Sequence, residues 1–493
     1  MSTLLLSKMK SATNKALTEN GAMARATTNS ELLDFFSQGG AMRGKENKAL
    51  DLFMRAYAED KTLALKTMFY FRDIRGGQGQ RDVFRVQLTY MANNHTEVMR
   101  NLLHLVPIYG RWDDLYSVFG TALIGEAIKI IQFQLTEDFA NMKKKESISL
   151  LAKWLKSENA SSTETKRFAK MTRKELGYSA REYRKMLSHM RKYIDIVERK
   201  ICDRKWSEID YSKVPSNAMM KYRKAFYKHD EPGITKFIDD VKSGKQKINS
   251  AVLYPHEIVG KFMNGRSDLT PEMGQAMWDG LPNYVGDESE NAIAVVDVSG
   301  SMTGLPMEVS IALGLYLGER ATGAYKDHFI TFSERPIIQK IIGSNIAEKV
   351  KFLHNSDWGY NTNIERVFDL ILNTAIENDL DHNDMLDKVY IISDMEFDTA
   401  MSSGCNGHEV SKTLFQSIRN KFKNNGYKMP EIVFWNVNAR NKQFPMSMDD
   451  RGFLNVSGFS PSIFKNLVGG RFSSPMDLML EVIDNERYTA IHA

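Results

Sequence analysis

The 493-residue sequence has only two cysteines, Cys202 and Cys405, far apart and without C-x-x-C spacing. That excludes a disulfide-stapled scaffold and a thiolate metal site, and it fits free thiols in a reducing compartment. No apolar run approaches the roughly 18 to 20 residues that a membrane-crossing helix needs. The opening stretch, MSTLLLSKMK, has three consecutive leucines and no basic lead-in. No secretory signal is therefore expected, and the expected location is cytoplasmic. The phosphate-cradling pattern G-x-x-x-x-G-K-[ST] is missing, and G-x-G-x-x-G does not follow the first strand of the C-terminal part. A P-loop nucleotidase and a dinucleotide-binding enzyme are excluded on those grounds.

Net charge is also small, +5, but it is unevenly spread. Residues 141–230 contain 24 Lys and Arg against 11 Asp and Glu, an excess near +13, which leaves the remainder near −8. A basic segment on an otherwise acidic chain points to a surface for a polyanion. The candidate phosphate contacts are Lys166, Arg167, Lys170, Arg173, Lys174, Arg181, Arg184, Lys185, Arg191 and Lys192. Aromatic residues interleave with them, among them Trp154, Tyr178, Tyr183, Tyr193, Trp206, Tyr211, Tyr222, Phe226 and Tyr227. Cations for phosphates and aromatic faces for bases together hold single-stranded nucleic acid, although helical spacing equally allows these rings to be core.

From about Ser30 to Lys261 the apolar residues recur at helical spacing. NKALDLFMRAYAED, for example, places Leu50, Phe53, Met54 and Tyr57 on one face. Helices of about 10 to 18 residues with short connections describe an α-helical repeat of the HEAT kind, ring or solenoid, though no fixed sequence period recurs. Two peptides stand out. In Phe71 to Arg81, FRDIRGGQGQR, glycines and arginines lie together between helices. Arg72 and Arg75 are candidates to grip an anion there, or to pair with Asp73 and Asp82. In Pro107 to Leu115, PIYGRWDDL, the acidic residues are expected to pack and cap a helix start.

The C-terminal part alternates strands and helices from about Asn291, as a doubly wound sheet requires. Strands are expected at 292–297, 327–332, 336–341, 388–393, 431–436 and 452–456. Helices are expected at 305–321, 346–353, 364–377, 410–424 and 475–485. The central feature is NAIAVVDVSGSMTG, residues 291–304. A short continuous apolar run, Ala292 to Val296, reads as a buried parallel strand, and ligands sit at the carboxyl ends of such strands. Asp297, Ser299 and Ser301 would meet there as an all-oxygen cluster suited to a hard divalent cation. A phosphatase using Asp297 as nucleophile would want a second carboxylate two residues on, and this chain has Ser299, so no enzyme is expected.

The D-x-S-x-S pattern resembles the metal-ion-dependent adhesion site of von Willebrand factor A domains. With FRDIRGGQGQR and YGRWDDL upstream, the chain resembles the Ro autoantigen family of ribonucleoproteins, in which a TROVE-type helical ring is joined to an A domain. The nearer likeness is to an uncharacterised Ro-like branch with the same layout. The resemblance implies an N-terminal extension at 1–29 and a helical domain at 30–285. A doubly wound, Rossmann-like von Willebrand A domain would occupy 286–493. It implies a metal site of Asp297, Ser299, Ser301, Thr362 and Asp394, holding Mg2+ or another divalent cation such as Mn2+. Two carboxylates and neutral hydroxyls would leave such an ion open to an acidic group of a protein partner. The expected function is a non-enzymatic RNA-binding scaffold for a small structured or single-stranded RNA, with no membrane. The competing expectation is a metal-dependent protein-interaction module without RNA.

Overall fold

The apolar run before Asp297 is a strand whose five residues are all buried. A computed structural model describes residues 13–248, 250, 253–263, 269–286, 290–332, 335–356, 363–397, 414–470 and 472–493. A short hairpin pairs β1 (Ala16–Leu17) with β2 (Met23–Ala24). Helices follow as α1 (Glu31–Gly39), α2 (Glu46–Glu59), α3 (Lys61–Arg72), α4 (Asp82–Asn94), α5 (Thr96–Leu102) and α6 (Ile124–Lys144). After these come α7 (Thr163–Glu175), α8 (Ala180–Ile194), α9 (Ser216–Lys242), α10 (Pro255–Met263) and α11 (Pro271–Asp279). Then strands and helices alternate: β3 (Ala292–Val296), α12 (Leu305–Arg320), β4 (His328–Thr331), β5 (Ile338–Lys340), α13 (Ile346–His354) and α14 (Ile364–Glu377). The chain continues through β6 (Lys388–Ser393), α15 (Leu414–Asn424), β7 (Glu431–Asn436), β8 (Phe453–Ser457) and α16 (Pro475–Ile483). The helical N-terminal part and the alternating C-terminal part agree with the sequence expectation; residues 410–413 of the expected fourth helix lie outside the described residues. No helix among the described residues is long and apolar enough to cross a membrane.

The sheet order is β5-β4-β3-β6-β7-β8, parallel throughout except that β5 runs antiparallel to β4. From β3 the chain winds outward to β4 and β5, then crosses to β6 on the other side of β3. That reversal makes the carboxyl ends of β3 and β6 the topological switch point, where open α/β sheets bind ligands. One sheet face buries Ile293, Val295, Ile391 and Phe434 against Val367 and Phe368 of α14 and Phe415 and Phe422 of α15. The other face is covered by α12, in which every residue from Val309 to Gly318 is buried.

A helix that is apolar all round must be covered on both sides. Gly314 of α12 lies against Val296 of the sheet, and Gly260 of α10 lies against Glu308 on α12. Beside them, Trp278 of α11 donates its indole N–H to Glu319 at 2.6 Å, and the Arg320 guanidinium lies 4.1 Å from the Tyr316 ring centroid. The exposed edge of β8 is covered too: Ser457 Oγ donates to the Phe36 carbonyl at 2.9 Å and accepts from Gly40 N at 2.9 Å. Unpaired edge groups generally need such a cover.

Among the described residues, one compact unit therefore takes those up to Arg43, Asp51–Thr67 and Leu253–Thr489. The other takes Gly44–Leu50, Met68–Val252 and Ala490–Ala493. Helices α1, α10 and α11 belong to the first unit, where they cover β8 and α12.

Within the helical unit, the two distinctive peptides clasp each other. Ile74 N donates to the Tyr109 carbonyl at 2.9 Å, and Arg75 Nη1 to the Ile108 carbonyl at 2.6 Å. Arg72 Nε reaches Asp114 Oδ2 at 2.7 Å, while Arg85 bonds Asp114 and Asp113, each at 2.7 Å. Asp114 is fully buried and also accepts from Arg111 N at 2.9 Å. Gly110 lies where a Cβ would overlap the Asp114 carboxylate, so glycine is needed for this close approach. The pairing of Arg72 with neighbouring Asp73 or Asp82, one sequence expectation, gives way to a partner 42 positions away.

Removing one partner of a buried ion pair leaves the other charge stranded, so Arg72→Ala is expected to destabilise the helical unit by about 3–5 kcal/mol. A lowered melting transition followed by circular dichroism checks this. At Gly40, a Cβ would overlap the Ser457 carbonyl. Gly40→Ala is accordingly expected to cost about 1–3 kcal/mol in urea unfolding. Gly125→Ala, in the open first turn of α6, is expected to be neutral or stabilising.

Candidate functional site

Asp297 follows β3 and Asp394 follows β6, and these strands are paired in register from Ala292 with Lys388 to Val296 with Ile392. Asp297 N extends that pairing by donating to the Ile392 carbonyl at 3.1 Å. The two carboxylates are thus brought together by strand pairing alone. Asp297 is fully buried; its Oδ1 accepts from Ser299 N at 2.9 Å and its Oδ2 from Ser393 Oγ at 2.6 Å. A 3-10 turn at Gly300–Met302 brings Ser301 Oγ to 3.1 Å from Ser299 Oγ. Gly304, at φ +91°, then turns the chain into α12 in a backbone conformation that favours glycine.

The electrostatics disfavour two bare charges here. Burial pushes the Asp297 carboxyl up to about 6, and the neighbouring Asp394 charge adds to the shift. Burial raises Asp394 as well. Asp394 Oδ1 accepts from Glu396 N at 3.3 Å, but its buried Oδ2 has no hydrogen-bond partner among the described residues. A buried carboxylate oxygen without a hydrogen bond, a second buried carboxylate and two adjacent hydroxyls fit a hard divalent cation. Among the described residues no three His, Cys, Asp or Glu side chains gather in a metal-binding group, so an ion here would rely on two carboxylates and on hydroxyls. Thr362, the expected fifth member, lies outside the described residues.

Sequence reasoning missed the surroundings of Asp394. Arg440 Nη1 stands 3.6 Å from Asp394 Oδ2, and Arg440 Nη2 stands 2.8 Å from Glu19 Oε2. The buried Glu396 accepts from Gln443 Nε2 at 2.6 Å and from Glu19 N at 2.7 Å. Nothing in the local sequence signals these partners, which come from two distant stretches, around Glu19 and at 440–443.

The candidate phosphate contacts sort into two groups. Helix α7 begins at the cap Ser162 and buries Ala169 and Thr172, while α8 begins at a Ser179–Glu182 capping box and buries Tyr183, Met186, Leu187 and Met190. Lys166, Arg167, Lys170, Lys174, Arg181, Arg184, Lys185 and Lys192 remain exposed. Arg173 is instead bonded to Glu158 and to the Tyr178 carbonyl, and Arg191 to the Ala152 and Leu155 carbonyls. Arg72 is buried in the clasp, whereas Arg75 is exposed beside it. Of the nine interleaved aromatics three are core, five are half-buried and Tyr193 is exposed. Tyr183, Tyr211 and Phe226 are buried, and Trp206 stacks on His229 with ring centroids 4.5 Å apart.

Comparison with known proteins matches residues 18–147 and 146–291 to the family described as "Domain of unknown function (DUF2828)". Residues 291–489 match "Domain of unknown function (DUF7788)". The chain is 33% identical to the uncharacterized protein L728 of Acanthamoeba polyphaga mimivirus over 510 residues, covering 96% of this chain and 87% of the relative. Among solved structures it is similar to the Ro (RSR) protein of Deinococcus radiodurans, at 13% identity and a TM-score of 0.45, with 93% of this chain and 99% of that chain covered. Matched over more than half its length by one family and along nearly all of it by a relative one-third identical, the chain belongs to the DUF2828 family, with a DUF7788 region at its C-terminal end.

Proposed function

We propose that the protein is a non-enzymatic RNA-binding scaffold of the Ro-like kind. In this reading the helical unit holds RNA through α7 and α8, and the sheet unit binds a divalent cation that docks a protein partner. One observation carries the RNA half: eight cations stand exposed on two consecutive helices that contain only three acids, Glu164, Glu175 and Glu182. Such a surface attracts phosphates by charge and by counterion release, without base recognition. Because the carrying observation is one of exposed cations, sequence-tolerant backbone contact is the mode it favours.

The metal half rests on Asp297, Ser299, Ser301 and Asp394. Mg2+ or Mn2+ would supply an electrophilic centre with a coordination position open to a carboxylate of the partner. The carboxylates of Asp297 and Asp394 and the hydroxyls of Ser299 and Ser301 would hold that ion. Ser299 stands where an aspartate-nucleophile phosphatase needs its general acid, which favours binding over catalysis.

Affinity for a generic single-stranded RNA is expected to fall steeply with salt, and charge reversal at Lys166, Lys170, Arg181 and Lys185 is expected to flatten that slope. Fluorescence anisotropy at stepped KCl concentrations reads both. Absence of RNA binding at low salt, with Mg2+ binding retained, would favour a protein-interaction module instead.

The metal site makes a second prediction through pH. The folded carboxyl of Asp297 holds its proton more tightly than the unfolded one, so its contribution to metal-free stability declines as pH rises through about 6. In chelator at pH 7.5, Asp297→Asn is therefore expected to be more stable than the parent by roughly 1–3 kcal/mol, a difference that shrinks toward pH 5. Excess Mg2+ is expected to raise the melting temperature of the parent only. Thermal scans at the two pH values check both statements.

A further inference from the structure

The guanidinium of Arg440 lies between two carboxylates, one at the metal site and one outside it. Its Nη1 is 3.6 Å from Asp394 Oδ2 without forming a hydrogen bond, so the attraction is coulombic and the oxygen keeps its lone pairs. Its Nη2 donates to Glu19 Oε1 at 3.1 Å and lies 2.8 Å from Glu19 Oε2. Glu19 belongs to the turn between β1 and β2, and that turn is fastened to the same loop that carries Asp394. Thr18 Oγ1 donates to the Phe397 carbonyl at 2.5 Å, Glu19 N to Glu396 Oε2 at 2.7 Å, and Asn20 Nδ2 to the Glu396 carbonyl at 2.8 Å.

We propose that Arg440 is the counter-charge of the metal site, shared between Asp394 and Glu19, and that this sharing sets the site's affinity for a divalent cation. The inference rests on the metal reading given above. A guanidinium this close to Asp394 neutralises the carboxylate when no ion is bound. It repels a dication arriving at the same oxygen, because the two compete for one negative charge. Glu19 offers the alternative partner. Held 2.8 Å from Nη2, it draws the guanidinium away from Asp394 without breaking the bonds that fasten the turn. Arg440 is half-exposed and long enough to pivot between the two acids, so the exchange needs no movement of the sheet. By linkage, an ion that favours Arg440 on Glu19 must bind more tightly, by the same factor, when that pair is formed. Arg440 is thus a positioning residue for charge, and Glu19 its holder.

Isothermal titration of the full chain with MgCl2, at fixed ionic strength, separates the possibilities. Arg440→Gln is expected to bind Mg2+ about three- to tenfold more tightly than the parent, since it removes the competing charge. Arg440→Lys keeps the charge and is expected to stay within about twofold. Glu19→Gln releases Arg440 toward Asp394 and is expected to weaken binding by about two- to fivefold, an effect that is smaller in the Arg440→Gln background. Thermal scans confirm that each variant is folded before titration. Parent binding with Arg440→Gln equal or weaker would overturn this inference while leaving the metal reading intact. No Mg2+ binding by either protein would overturn both.

Discussion

Two carboxylates buried side by side govern the sheet unit. Parallel pairing of β3 with β6 forces Asp297 and Asp394 to the same edge, and burial disfavours the charged form of each. Backbone and serine donors satisfy most of their oxygens, but Asp394 Oδ2 stays without a hydrogen bond. Like charges in one dry pocket are stable only with a proton or a cation between them. The fold supplies a partial answer in Arg440, 3.6 Å from Asp394 Oδ2, and sets the hydroxyls of Ser299 and Ser301 on the loop after Asp297. The reading of this pocket as a metal port follows from that imbalance of charge, and the D-x-S-x-S spacing provides the oxygens that an ion would use.

The helical unit handles charge in the opposite way. Its buried ions, Arg72, Asp113 and Asp114, are paired with one another or with the half-buried Arg85, so they hold two loops together and present little to a ligand. Its exposed ions, on α7 and α8, are left largely of one sign. Exposed cations contribute little to stability, because water screens them, and they remain available to an incoming polyanion. Arginines in the two places have different work despite similar sequence surroundings.

Much of this was legible in the sequence where the physics is local. A strand buried on both faces must be a continuous apolar run, so AIAVV and KVYIIS announced β3 and β6, and the acids that follow them marked the switch point. Exposed cations on amphipathic helices were legible for the same reason. Non-local pairing was not. Asp73 and Asp82 looked like the partners of Arg72, yet only the folded chain brings Asp114 to it. Helical periodicity identifies an apolar face without saying what it covers, so the packing of α10 and α11 beside α12 was not legible. The all-round apolar α12 was the available signal that two more covers were needed. Strands of two residues, such as β1 and β2, are too short to show alternation, and so the turn carrying Glu19 was invisible.

The division of labour between a metal port and a basic helical surface is tested most directly by one titration. Full-length protein carrying a bound single-stranded RNA is titrated with Mn2+ and followed by electron paramagnetic resonance. The account predicts one tightly bound ion per chain, lost in Asp394→Ala, with RNA still bound in the same sample. No bound Mn2+, or loss of RNA together with the ion, would contradict it.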